Sequence, residues 1–175
     1  MSRPAHRFTL LSRLLHWTMA ALVLAMLFIG IGMVSTVSPR YAGLVSVHKS
    51  IGILILVLVA IRLVNRLLNP PPPLPADLPR VQVIAATASH WLLYCLMFAL
   101  PLVGWAMLSA AGSPIVVFGG LHLPPILPHD VAVFAVLRTA HTVLALLLFA
   151  TFLAHLGAAL FHALIRRDEV LPSMV

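Results

Sequence analysis

Four long stretches of apolar residues constrain the fold of this chain more than any other feature. They cover residues 8–34, 41–67, 84–110 and 131–165. A helix of about 20 apolar residues crosses the hydrocarbon core of a bilayer, so each stretch is long enough to span a membrane. The chain is only 9% charged, whereas soluble domains carry about 25% charged residues. The sequence therefore predicts an all-α integral membrane four-helix bundle, with residues 1–175 forming a single domain.

The net charge of +7 predicts membrane topology rather than nucleic-acid binding. If four helices alternate in direction, eight of the eleven Lys and Arg residues fall on the side of the two termini. These eight are Arg3, Arg7, Arg13, Arg62, Arg66, Arg80, Arg166 and Arg167. The other three, Arg40, Lys49 and Arg138, fall on the opposite side. Because an excess of Lys and Arg marks the cytoplasmic side, we expect both termini in the cytoplasm.

Two of the connections between the stretches have distinctive compositions. Residues 69–79 are rich in proline, which fixes φ and removes the amide donor, so they predict a stiff extended strap. Residues 111–130 are apolar and rich in glycine and proline. We expect this second connection to pack on the bundle as a cap on the side away from the termini.

Histidines lie at two matched depths in the predicted bundle. Fourteen residues separate His141 from His155, a rise of about 21 Å that returns to nearly the same helix face. The topology places His48 at the outer depth with His141, and both His16 and His90 at the inner depth with His155. A lone histidine in a span can serve an interhelical hydrogen bond, but polar residues at matched depths favour a functional site. Opposed imidazoles predict two b-type haems, with His155 facing either His16 or His90.

Other metal sites fit the sequence less well. Zinc favours three or four clustered ligands, often including cysteine or carboxylates, but the four stretches hold no Asp or Glu and Cys95 is the sole cysteine. The chain has no Cys-x-x-Cys-His motif, so the haem is expected to be non-covalent. Two imidazoles per iron close both axial positions, which favours electron transfer over ligand binding at the metal.

The interval of fourteen residues recurs in the other helices. It leads from three histidines to two glycines and an arginine: from His16 to Gly30, from His90 to Gly104 and from His48 to Arg62. Glycine at the outer depth lets a macrocycle approach the backbone, and Arg62 at the inner depth suits a haem propionate. The alternatives are helix packing for the glycines and an interfacial position for the arginine.

Short motifs along nearly the whole chain carry a family resemblance. They are His16-Trp17, Val47-His48, Val59-x-x-Arg62-Leu63, His90-Trp91-Leu92-Leu93-Tyr94, Ala99-Leu100-Pro101-Leu102-Val103-Gly104, His141, Leu153-Ala154-His155 and His162. On these motifs the chain resembles the prokaryotic cytochrome b561 family, small di-haem cytochromes of the bacterial inner membrane. The resemblance implies that His16 and His155 hold the inner haem and that His48 and His141 hold the outer haem. It leaves His90 to a supporting position or a quinone pocket.

The resemblance also implies a reaction, because some members of the family are superoxide oxidases. In these, superoxide reduces the outer haem and ubiquinone collects electrons at the inner face. Lys49 and Arg138 predict a cationic rim that attracts superoxide to the outer face. Propionate pairing or interfacial anchoring is the alternative for both residues.

His162 is the predicted contact for the quinone head group. It lies seven residues after His155, about 10 Å further toward the cytoplasm, and imidazole exchanges protons near neutral pH. The plain alternative is a histidine that faces lipid head groups. The sequence thus favours a superoxide:ubiquinone oxidoreductase that uses two haem b groups and ubiquinone. A haem-b subunit of a dehydrogenase or hydrogenase complex and a non-redox scaffold or transporter are the competing interpretations.

Overall fold

The computed structural model describes residues 7–175, and four long helices dominate this part of the chain. The helices are α1 (Leu10–Ser35), α2 (Arg40–Leu68), α3 (Arg80–Ala110) and α4 (Val131–Leu160). Arg3, one of the cations used above to orient the chain, lies outside the described residues. All four helices are long and apolar enough to cross a membrane. The prediction of a four-helix membrane bundle is therefore confirmed.

Neighbouring helices in the sequence are also neighbours in space: α1 packs on α2, α2 on α3 and α3 on α4. The first and last described residues meet at one end of the bundle, where the Phe8 amide donates to the Ser173 carbonyl at 3.0 Å. We call this the terminal end. The opposite end carries a β-hairpin, and we call it the hairpin end.

The centre of the bundle is a small apolar core that all four helices share. Its buried residues are Val23, Ile55, Leu96, Leu100 and Leu148. Many other long apolar side chains point outward instead; Phe28 is 66% exposed, for example. In a bilayer this outward surface lies against lipid tails, so the apolar sequence is explained by the membrane more than by burial inside the protein.

The hairpin end is closed by two short antiparallel strands, β1 (Ile115–Val117) and β2 (Leu121–Leu123). Their turn includes Phe118 and Gly119, which both have positive φ. The Phe118 amide donates to Ser50 Oγ of α2 at 2.9 Å, and Val117 is completely buried. The apolar connection thus packs on the bundle as a cap, although its sequence did not predict the strands.

The terminal end departs from the predicted geometry of the last span. Instead of one α-helix over 131–165, α4 ends at Leu160 and continues as a π-helical turn, Phe161–Arg166. Arg167 then adopts the left-handed conformation at φ 56°, and the chain folds back. The following tail ends in a short 3-10 turn (Pro172–Met174), where the Met174 carbonyl accepts from Trp17 Nε1 at 3.0 Å.

Candidate functional site

Two predicted histidines face each other near the hairpin end. His48 of α2 and His141 of α4 have ring centroids 6.2 Å apart and ring planes at 65° to each other. They border a cavity of about 210 Å³ with a mostly apolar lining, to which Ile115 and Val117 of β1 contribute. The hairpin therefore encloses one side of the space between the two rings.

The separation of these rings suits a metal held between them. A metal–imidazole nitrogen bond is about 2 Å long, so a centroid separation of about 6 Å would let both rings bind one metal ion. The Nδ1 atom of His48 is buried and makes no hydrogen bond within the described part of the chain. A neutral donor pair in an apolar cavity is the environment expected for a non-covalent haem rather than for a hydrated cation.

A second histidine cluster lies toward the terminal end. His155 of α4 is 6.2 Å from His16 of α1, with ring planes at 66°. His155 also lies 5.4 Å from His90 of α3, measured between ring centroids. The His16–His155 pair repeats the geometry of the His48–His141 pair, whereas His90 stands closer to His155. All three inner histidines named from the sequence are therefore together.

Arg62 connects this cluster to α2. Its Nη2 lies 3.1 Å from His16 Nδ1, and its Nε donates to the Tyr94 hydroxyl at 3.2 Å. Its Nη1 donates to the Ser12 carbonyl at 3.4 Å. A guanidinium within a span requires several such partners because an isolated charge there is costly. Arg62 thus lies at the depth predicted for the inner haem, directly beside one of its candidate ligands.

Neighbouring polar residues support this position, and Asn65 among them was not singled out from the sequence. Asn65 Nδ2 donates to Ser12 Oγ at 2.7 Å, and both residues are buried. One turn further along α2 from Arg62, the Arg66 guanidinium stacks on Trp91 and Tyr94 at 5.8 and 5.7 Å from the ring centroids. Uncharged polar residues inside a predicted span were the available signal, since such residues usually have a partner.

The two predicted glycines differ in their surroundings. A Cβ placed on Gly104 would lie 3.3 Å from His141 Cε1, so α3 approaches the outer histidine closely because this residue has no side chain. A Cβ on Gly30 would meet no atom within 4 Å among the described residues. Gly104 therefore has a clear steric role at the outer site, while Gly30 borders open space.

The two cations predicted for the outer rim also lie in different surroundings. Lys49 is half-buried and lines the cavity between His48 and His141. Arg138 is exposed on α4, three residues before His141. Both are at the hairpin end, so the structure places one cation beside the cavity and one exposed on the surface of α4.

His162 forms an ion-pair cluster at the terminal end. Its Nδ1 lies 2.7 Å from Asp168 Oδ2, and Arg166 Nε donates to the same oxygen at 3.0 Å. Arg166 also binds Asp77 of the proline-rich strap at 2.7 Å. Partial burial acts to raise the pKa of Asp168, but hydrogen bonds from His162, the Val170 amide and Arg166 outweigh it and lower that pKa. Asp168 is a residue that the sequence analysis did not identify.

Comparison with known proteins places this architecture in a family. The family model described as prokaryotic cytochrome b561 matches residues 7–175. The chain is a member of the prokaryotic cytochrome b561 family. It is 35% identical over 172 residues to cytochrome b561 homolog 2 of Escherichia coli, covering 97% of this chain and 91% of that protein. Over 183 residues it is 30% identical to cytochrome b561 homolog 1 of the same organism, covering 97% of each.

A third relative has a more specific name. The chain is 35% identical over 130 residues to the probable superoxide oxidase CybB of Yersinia pestis, covering 74% of this chain and 73% of that protein. Family membership establishes a multi-pass membrane protein that binds b-type haem and takes part in electron transport. It thereby favours a redox role over the scaffold or transporter considered from the sequence.

Proposed function

We propose that this cytochrome is a superoxide:ubiquinone oxidoreductase with two b-type haems, in which the terminal end faces the cytoplasm. The observation that carries the proposal is the pair of histidine sites with equal ring separations of 6.2 Å. His141 and His155 lie on one helix, fourteen residues and about 21 Å apart. Two haems at this spacing would carry electrons from one side of the membrane to the other.

The chain offers a complete set of groups for two haems. His48 and His141 would hold the outer haem, and His16 and His155 the inner haem, with His90 beside the inner ligands. Gly104 would leave room for the outer macrocycle against α3. When bound, the haems supply one-electron carriage between the two faces.

Arg62 would help to bind the inner haem in this proposal. An arginine has only N–H donors, so His16 Nδ1 accepts its hydrogen bond and the neutral ring carries its proton on Nε2. An imidazole that binds iron through Nε2 must instead carry its proton on Nδ1. Arg62 would therefore have to release His16 for that ring to bind haem through Nε2, and a haem propionate would be an anionic partner for the guanidinium.

The two faces would bind chemically different substrates. At the hairpin end, Lys49 and Arg138 would attract the superoxide anion. At the terminal end, His162 would contact the quinone oxygen. Two superoxide anions give two molecules of oxygen and two electrons, and one quinone takes these two electrons and two protons to become quinol.

The stoichiometry of the purified protein tests the reaction. We expect anaerobic mixing with superoxide and a soluble ubiquinone analogue to produce one quinol for every two superoxide anions oxidised by the protein, with oxygen released and less hydrogen peroxide than in a protein-free control. Dismutation would instead yield hydrogen peroxide and no quinol. Failure of superoxide to reduce the haems would rule out this substrate and favour a haem-b subunit that receives electrons from a partner protein.

The haem assignment has its own test. We expect His48→Ala and His141→Ala each to remove the outer haem and spare the inner one, measured as haem per chain and by visible spectra. A His48→Ala/His16→Ala double variant should lose both haems. Loss of only one equivalent from the double variant would show that the two residues do not serve separate haems.

A further inference from the structure

His162 and Asp168 form a close pair at the boundary between the bundle and water. The His162 Nδ1 and Asp168 Oδ2 atoms are 2.7 Å apart, and each side chain is only 15% exposed. His162 Nε2 makes no hydrogen bond to any residue in the range 7–175. The carboxylate therefore fixes the proton of a neutral imidazole on Nδ1 and leaves Nε2 available to another molecule.

The local backbone produces this pair. The π-helical turn Phe161–Arg166 ends with the Arg167 amide donating to the His162 carbonyl at 2.7 Å. The left-handed conformation of Arg167 then reverses the chain, which returns Asp168 to the ring of His162. π-helical turns are rare and occur frequently at functional sites, and here the turn brings together two residues six positions apart.

Asp168 also borders water. It lines an open cavity of about 530 Å³ at the terminal end, together with Arg7, Arg167 and Glu169. Phe161 packs edge-on against the His162 ring, with centroids 5.9 Å apart. One side of Asp168 thus contacts the imidazole, and the cavity that it lines opens to solvent.

We propose that Asp168 is a positioning residue for proton delivery to quinone, holding His162 so that Nε2 donates to the quinone oxygen. This inference rests on the function proposed above. The protonated His162 ring gives its Nε2 proton to the quinone oxygen. It keeps its Nδ1 proton, which stays hydrogen-bonded to Asp168. A proton from solvent replaces the one that the ring has donated. Two such transfers, with the two electrons taken from two superoxide anions, convert one quinone to quinol.

The competing explanation is that Asp168 only fastens the tail to the bundle. Arg166 separates the two explanations because it binds two carboxylates, Asp168 at 3.0 Å and Asp77 at 2.7 Å. Asp77 is 73% exposed and makes no hydrogen bond or ion pair with His162 among the described residues. The Asp77→Asn variant therefore removes an equal charge from the same arginine and leaves the imidazole pair intact.

The test measures reoxidation of the superoxide-reduced protein by a ubiquinone analogue and, separately, by ferricyanide, which accepts electrons without protons. We expect Asp168→Asn to retain both haems and to slow the quinone reaction about tenfold, less than the roughly hundredfold or more contributed by a general acid itself. Asp168→Glu should recover much of the rate, and Asp77→Asn should match the wild type. The ferricyanide reaction should be unchanged in all variants.

The pH profile gives the second measurement. Because His162 loses its carboxylate partner in Asp168→Asn, the pH dependence of the quinone rate should differ from that of the wild type. The other charged groups nearby, Arg166, Arg7, Arg167, Glu169 and Asp77, are all still present in this variant, and Asp77→Asn controls for the loss of a carboxylate beside Arg166. Added formate should restore part of the lost rate.

An equal rate and an unmoved pH midpoint in Asp168→Asn, with quinone still reduced by the wild type, would overturn the inference and leave the proposed function standing. If Asp168→Asn loses haem, His162→Gln decides, because a wild-type quinone rate and pH profile in that variant would equally overturn the inference. A wild-type protein that is reoxidised by ferricyanide but not by quinone would overturn the function and this inference together.

Discussion

At the scale of single residues, the hydrogen-bond partners of Arg62 indicate that it can bind part of a cofactor. Arg62 is held by Tyr94, His16 and the Ser12 carbonyl, all of them neutral. A charged group in a low-dielectric site gains most from an ionised partner. The arginine is therefore the strongest candidate to bind a carboxylate that enters with the inner haem.

We expect Arg62→Gln to lower the reduction potential of the inner haem, because a nearby positive charge favours the reduced state. A tenfold change in the one-electron equilibrium corresponds to about 59 mV, and a decrease of this order is expected in a spectroscopic redox titration. Arg62→Lys should retain most of the wild-type potential. Arg66→Gln is the matched control, because Arg66 stacks on Trp91 and Tyr94 one turn away; an equal decrease there would assign the effect to general charge.

Residue spacing predicted much of the candidate site. The interval of fourteen identified the residues that the structure brings into the two histidine clusters, because helical geometry converts spacing into depth and face. It left His16 and His90 open as partners of His155, since both lie at the same depth, and the resemblance alone chose His16. It could not identify Asp168, because the contact with His162 depends on a π-helical turn and a chain reversal.

At the scale of elements, hydropathy predicted the helices closely and the connections poorly. The apolar stretches end near the helix ends because the membrane thickness sets both. The hairpin has three residues in each strand, too few for an alternating pattern to be visible in an apolar segment. The end of α4 differs because the hydropathy of residues 161–165 does not distinguish an α-helix from a π-helical turn.

The contact between α3 and α4 gives a prediction about the outer haem. A Cβ on Gly104 would lie 3.3 Å from His141 Cε1, so a branched side chain must displace the imidazole. We expect Gly104→Val to lose most of the outer haem and to keep the inner haem, measured by haem content and spectra. Gly43→Ala is the control, since a Cβ there meets no atom within 4 Å among the described residues. Full retention of both haems in Gly104→Val would contradict this steric role.

The C-terminal tail should detach from the bundle in acid. Hydrogen bonds from His162, Val170 and Arg166 lower the pKa of Asp168 below its usual value of 3.8, against the opposing effect of burial. The stabilisation is therefore complete above that usual value and disappears as the pH falls through the lowered pKa. Hydrogen exchange of residues 168–175, corrected for the intrinsic pH effect, should accelerate in this range. Asp168→Asn should lack the transition; an identical transition in that variant would assign it to another group.

At the scale of the whole molecule, opposite ends of the bundle carry different charge. The terminal end holds most of the arginines, and within the described residues it also holds the ion-pair cluster of Arg166, Asp77 and Asp168. The hairpin end has fewer cations, but Lys49 lies in the lining of the outer cavity. The net charge of +7 is therefore a poorer guide to the attraction of an anionic substrate than the positions of the two or three charges nearest the site.

The charge at the hairpin end predicts how fast superoxide reacts. A cationic rim accelerates the encounter with an anion, and salt weakens this effect because the Debye length is about 10 Å at 0.1 M. We expect Lys49→Gln/Arg138→Gln to slow haem reduction severalfold at low ionic strength while both haems stay bound. The wild-type rate should fall with added salt toward the rate of the variant. Arg167→Gln, at the terminal end, should react like the wild type.

Equal rates in the double variant and the wild type at low salt would show that Lys49 and Arg138 do not steer superoxide. Loss of haem from the double variant would instead show that the two cations bind the haem propionates.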